Sequence, residues 1–114
     1  MISGRTNESV RGAVTIIEKD FTGVPVLGFA CDVREASQVQ ALWNQAEKQF
    51  GKVDHWINNA GIGQPMQRIW SLSPEMMEDV FRTSVLGTLF GAKVAMQGMT
   101  PRGSGAIWIM EGHG

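Results

Sequence analysis

Apolar residues along this chain fall in four short blocks separated by three longer stretches in which they recur at helical spacing. Met1 to Ser3 reads as the tail of a strand, stopped by Gly4. From about Asn7 to Lys19, Val10, Val14 and Ile17 recur every three or four residues with Ala13 between them, which predicts a helix with one apolar face. Val26 to Cys31 is a second apolar block, ending in Asp32-Val33. Glu35 to Phe50 places Val39, Leu42, Trp43, Ala46 and Phe50 on one face, and Gly51 supplies a C-terminal stop. Val53 to Ile57 is a third block. A loop from Ile62 to Leu72 leads to Ser73-Pro74, an N-cap followed by Pro at the first helical position, and a long helix is predicted from Pro74 to Gly98. Thr100 to Ser104 is a turn, and Ala106 to Met110 is a last strand.

The order is therefore β-α-β-α-β-α-β with short connections. The strands are continuous apolar runs instead of alternating ones, as expected where helices cover both faces of a sheet. The predicted class is α/β, with a doubly wound parallel sheet in a single domain over 1–114.

Composition removes several functional classes. Ten basic residues face eleven acidic ones with no basic block, which argues against nucleic acid or an anionic membrane as partner. The weakly polar run from Val85 to Met99 contains Lys93 and Gln97 and is too short to cross a bilayer. Cys31 is the only cysteine, so neither a disulfide framework nor a metal cluster is expected. The opening Met-Ile-Ser-Gly-Arg has no signal-peptide pattern, which makes the cytoplasm the default location. The chain has no tyrosine.

The candidate chemistry gathers where strands end. Ile57 passes directly into Asn58-Asn59-Ala60-Gly61: two amides that donate and accept, then two residues small enough for a flat ligand to lie against the main chain. Read alone, this tetrapeptide is equally well an ordinary turn. Ligands of open α/β sheets, however, sit at the carboxyl ends of strands.

Taken with Asp32-Val33 after the preceding strand, and with one amphipathic helix and Gly51-Lys52-Val53-Asp54 between them, the chain resembles the short-chain dehydrogenase/reductase family over essentially all its length. The ending Ile109-Met110-Glu111-Gly112-His113-Gly114 is similar to the chlorophyll b reductase-like branch. The resemblance implies a partial Rossmann-type fold comprising the family's strands 2 to 5. It also implies an oxidoreductase passing hydride between NADP(H) and a carbonyl or alcohol substrate. The family's first strand and Gly-rich turn have no counterpart here, and its Tyr-x-x-x-Lys would lie beyond Gly114, so the chain is expected to be a middle piece. The alternative reading is a truncated, inactive nucleotide-binding or scaffolding module.

Residue by residue, the resemblance implies that Arg5, directly after the first block, reads the 2′-phosphate of NADP, NAD being less favoured; the bland alternative is a solvated surface charge. Asp32 would accept from the adenine amino group and the Val33 amide would donate to the ring; otherwise Asp32 is a charge favourable to a helix dipole. Asn59, Ala60 and Gly61 complete the cofactor-binding set. Ser84 stands where the family has an Asn of the proton relay, and a plain buried helix Ser is an equal alternative. His55 and His113 have no partner at a useful spacing and receive no catalytic role. The Trp and Met residues are expected in core and helix interfaces. In the family's strand order the absent strand lies between the blocks Met1–Ser3 and Val53–Ile57, so their inner edges are expected to be unpaired. Gly87, Gly91 and Ala95, four residues apart, suggest a smooth stripe through which the helix over 74–98 meets a second copy in a homo-oligomer.

Overall fold

The computed structural model describes residues 1–63 and 66–112; His113 lies outside them. The elements are β1 (Ile2–Gly4), α1 (Asn7–Asp20), β2 (Gly28–Ala30), α2 (Ala36–Phe50) and β3 (His55–Asn58), followed by α3 (Pro74–Val80), α4 (Gly87–Met99) and β4 (Ala106–Ile109). Short 3-10 turns at Ile69–Ser71 and Thr100–Arg102 flank the α3–α4 region. β1 is shifted by one residue, so Gly4 lies inside it instead of stopping it, and the other three strands are shorter than the apolar blocks that announced them. Val26 and Leu27 lie outside β2, and Val53 precedes β3.

The helix ends follow local chemistry. Thr6 caps α1, its hydroxyl accepting from the Ser9 amide at 3.2 Å. Ser73 caps α3 in the same way, accepting from the Met76 amide at 3.2 Å. Gly51 closes α2 at a φ of 80°, a left-handed conformation that costs glycine nothing. The helix predicted from 74 to 98 is continuous but not uniform, because residues Phe81–Leu86 form a π-helical turn between α3 and α4.

Pairing is parallel throughout, but in two separate two-stranded sheets, β1–β2 and β3–β4. The expected gap is present: β1 and β3 are not paired with each other, and both border one groove of about 590 Å3. Helices cover both faces of the first sheet. Gly28 meets α1, where an added Cβ would clash with Val10, while its neighbour Phe29 points the other way onto the core.

That core is one cluster of Cys31, Val39, Leu42, Trp43, Val94, Ala95 and Met99, with Trp56 and Ile107 packed against it from the second sheet. The predicted α2 face is buried except at its end, where Phe50 is exposed and lines the groove between the two sheets. The glycine stripe of α4 is also corrected. Gly87 and Gly91 are buried inside the molecule, Gly87 against Val33 and Gly91 against Trp56 and Asn58. The close approach they permit is therefore intramolecular. Only some of the large residues fill the core: Trp43 and Met99 are buried, whereas Trp70, Trp108 and Met96 are exposed. So small a set of layers has too few faces to cover them.

Candidate functional site

Within each sheet the strands are parallel, so the carboxyl ends of a pair point one way. Arg5 follows β1, Asp32-Val33 follows β2 and Asn59-Ala60-Gly61 follows β3. Arg5 is exposed just before α1, and its charge adds a small push toward the ionised Asp32 carboxylate, behind the bonds from Arg34.

Asp32 is the most constrained group here. The Arg34 amide donates to its Oδ1 at 3.0 Å, and the Arg34 guanidinium donates to Oδ1 and Oδ2 at 2.7 to 3.0 Å. The same guanidinium reaches Asp79 on α3 at 2.9 Å. Hydrogen bonding from the Arg34 side chain, opposed by partial burial, holds the Asp32 carboxyl below its ordinary range. The helix-dipole alternative for Asp32 weakens, because Glu35, not Asp32, occupies the N-cap of α2. Sequence reasoning missed Arg34. Its position two residues after an Asp is the spacing of a side-chain-closed turn, and that was the available signal.

The pH consequence has a definite sign. A carboxyl whose folded pKa is depressed adds stability above its unfolded value, near 3.9, and that stability is lost as pH falls through the folded value. Arg34 stays charged throughout, so acid-induced loss of stability below about pH 4 should be smaller in Arg34→Ala than in the unmodified chain. Chemical denaturation at a series of pH values checks this, and parallel pH profiles would count against it.

At the end of β3, Asn59, Ala60 and Gly61 are exposed. A Cβ added at Gly61 meets only the Ser84 hydroxyl, at 3.7 Å, so the turn leaves main chain open to a flat group. Ser84 stands on the π-helical turn, and its Oγ receives the Ile62 amide at 3.5 Å, a long contact. Val33 packs on Gly87, and Val33, Asn59 and Ala60 line the same groove. Asn58 points inward: its Oδ1 accepts from Trp56 Nε1 at 3.0 Å, while its buried Nδ2 has no partner. His55 stands apart, exposed on β3, accepting at Nδ1 from Trp108 Nε1 at 3.2 Å. Among the described residues no group of three His, Cys, Asp or Glu is arranged to hold a metal ion, and no helix is long and apolar enough to cross a membrane.

Parallel strands with helices on both faces, and small or amide-bearing turns at their carboxyl ends, define a partial Rossmann-type α/β fold. The chain belongs to the short chain dehydrogenase family, whose model matches residues 1–111. It is 36% identical over its whole length to the chloroplastic chlorophyll(ide) b reductase NOL of Oryza sativa subsp. japonica, covering 34% of that protein. The chloroplastic NOL of Arabidopsis thaliana is 33% identical, again over the whole chain and 33% of the relative. Among solved structures, ElxO with NADP bound superimposes with a TM-score of 0.82 at 27% identity, over 95% of this chain and 43% of that one.

The chain thus spans about a third of the length of these curated relatives. The likeness to the chlorophyll b reductase-like branch, read from the chain's ending, agrees with them. The cytoplasmic default does not stand, since these relatives are chloroplastic. A missing leader pattern was too weak an indicator to set the compartment.

Proposed function

We propose that these residues form the adenosine-binding part of an NADP(H)-dependent oxidoreductase that reduces a carbonyl or oxidises an alcohol, acting in the chloroplast. The observation that carries the reading is that Arg5 and Asp32-Val33 follow the paired parallel strands β1 and β2, while Asn59 and Ala60, after β3, line one groove with Val33. The residues present suit the adenosine half of the cofactor. Asp32 is an ionised acceptor for an exocyclic amine, its carboxylate fixed in place by Arg34. Val33 offers an amide beside it. Arg5 is an exposed cation in position for a 2′-phosphate. The open main chain at Ala60-Gly61 suits a planar ring or ribose. The residues do not suit the pyrophosphate half equally, because the chain contains no Gly-x-Gly-x-x-Gly turn opening a helix.

Bound there, NADPH would supply the hydride. This chain's residues hold and orient the nucleotide. Ser84, through its contact with the Ile62 amide, steadies the turn after Gly61 instead of moving a proton. The exposed face of the long helix, with Phe81, Val85, Leu89 and Met96, is the surface we assign to association with a second copy, in place of the buried glycines.

The cofactor assignment is tested in an enzyme that carries these residues together with a Gly-rich turn and a Tyr-x-x-x-Lys. Arg5→Asp should lower the preference for NADP(H) over NAD(H) about ten- to a hundred-fold, the equivalent of one charge-assisted hydrogen bond of roughly 1.5–3 kcal/mol. Equal use of both cofactors before mutation would sink the assignment.

A further inference from the structure

The carboxylate that follows β2 has most of its hydrogen-bonding capacity already used. The Arg34 amide donates to Asp32 Oδ1 at 3.0 Å, and Nε is shared between Oδ1 and Oδ2, both at 3.0 Å. Nη2 donates to Oδ2 at 2.7 Å. A carboxylate offers about four acceptor positions, and these N–H groups of Arg34 leave one of them. The Asp32 side chain is 20% exposed, so that position is within reach of a ligand.

Its chemistry is one-sided. Hydrogen bonds from Arg34 keep Asp32 ionised, so it has no proton to give. Its backbone amide is spent on Gln38 Oε1 at 2.9 Å. Asp32 therefore takes one N–H donor and repels a carbonyl oxygen.

The pairing of Asp32 with Arg34 would not by itself hold this arrangement. The Arg34 side chain is 30% exposed, and ion pairs between exposed side chains are loosely held. The constraint comes from Nη1, which donates to Asp79 Oδ1 at 2.9 Å. Asp79 belongs to α3, so the guanidinium is pinned between two elements that are far apart in sequence. Asp79 is exposed, and its replacement should cost the fold little.

We propose that Arg34 and Asp79 are positioning residues that hold Asp32 with a single acceptor position free, so that the site selects a purine carrying an amino group at position six. The assignment rests on the adenosine reading of Asp32 and extends it to α3.

The test uses an enzyme that carries these residues together with a Gly-rich turn and a Tyr-x-x-x-Lys. It compares NADPH with the counterpart in which unsubstituted purine replaces adenine. That analogue loses only the amino group and keeps the ring nitrogen that the Val33 amide would reach. The unmodified enzyme should show a KM about tenfold lower, or more, for NADPH than for the analogue. Asp79→Ala and Arg34→Ala should each raise the NADPH KM and reduce that ratio to about threefold or less. Neither should change kcat or the KM of the analogue, and Asp79→Glu should restore the preference. No preference in the unmodified enzyme would remove the adenosine reading of Asp32, and this assignment with it. A preference that survives intact in Asp79→Ala would remove the positioning role alone. A rise of both KM values together in Asp79→Ala would also overturn the assignment, because it marks a general loss of structure.

Discussion

Given NADPH and a broad panel of aldehydes and ketones, these 114 residues should consume cofactor no faster than a heat-treated control. Three deficits act together. There is no tyrosine to donate the proton that a carbonyl oxygen takes up as hydride arrives, and general acid–base help is typically worth about 10²–10⁴-fold. His55 does not replace it: the side chain lies on the exposed face of β3, stacked on Trp108 with Nδ1 already accepting a hydrogen bond. There is also no Gly-rich helix opening to hold the pyrophosphate, so the nucleotide would be held by its adenosine end alone. Finally, the groove between the sheets is open, and a substrate bound without fixed orientation forfeits a positioning contribution of about 7–11 kcal/mol in favourable cases. Weak NADPH binding is compatible with this expectation. Turnover above the control, abolished by Asn59→Leu, would overturn it and assign the chemistry to a residue of this chain.

The second large effect is expected at Gly91. A Cβ there would collide with the Asn58 side chain and come within 2.8 Å of Trp56 Nε1, and these two groups are hydrogen-bonded to each other. Trp56 in turn packs on Trp43, with ring centroids 5.7 Å apart, so the obstruction leads straight into the core. Overpacking costs about 1–3 kcal/mol, and loss of the Trp56–Asn58 bond adds about 1. Gly91→Leu should therefore lower the melting temperature by about 10–20 °C. Leu89→Lys, on the opposite and exposed face of the same helix, should move it by only a few degrees while weakening self-association. Thermal melts and light scattering on the two variants separate the roles. Wild-type stability in Gly91→Leu would mean that the helix does not pack on β3 as described, and unchanged association in Leu89→Lys would remove that face as a contact.

The sequence by itself determined the element order, the helix caps at Ser73 and Gly51, the buried face of α2, and the strand ends where Asp32 and Asn59 stand. These depend on local spacing and on which residues tolerate a turn, so neighbours along the chain suffice to reveal them. The family was legible for the same reason, since its signature residues are contiguous at strand ends. Other features depended on what meets across the fold. Nothing in Gly87 and Gly91 says whether a close neighbour is a strand of the same molecule or a helix of another; a spacing of four marks a smooth helix face but not its partner. The turn that joins Arg34 to Asp32 is local, but nothing in the sequence marks its further bridge to Asp79, forty-five positions beyond it. The π-helical turn that sets Ser84 beside Gly61 interrupts an apolar periodicity that reads as plain helix. Only the tertiary structure decided these, because each is a contact between residues far apart in the chain, and side-chain spacing carries no record of distance through space.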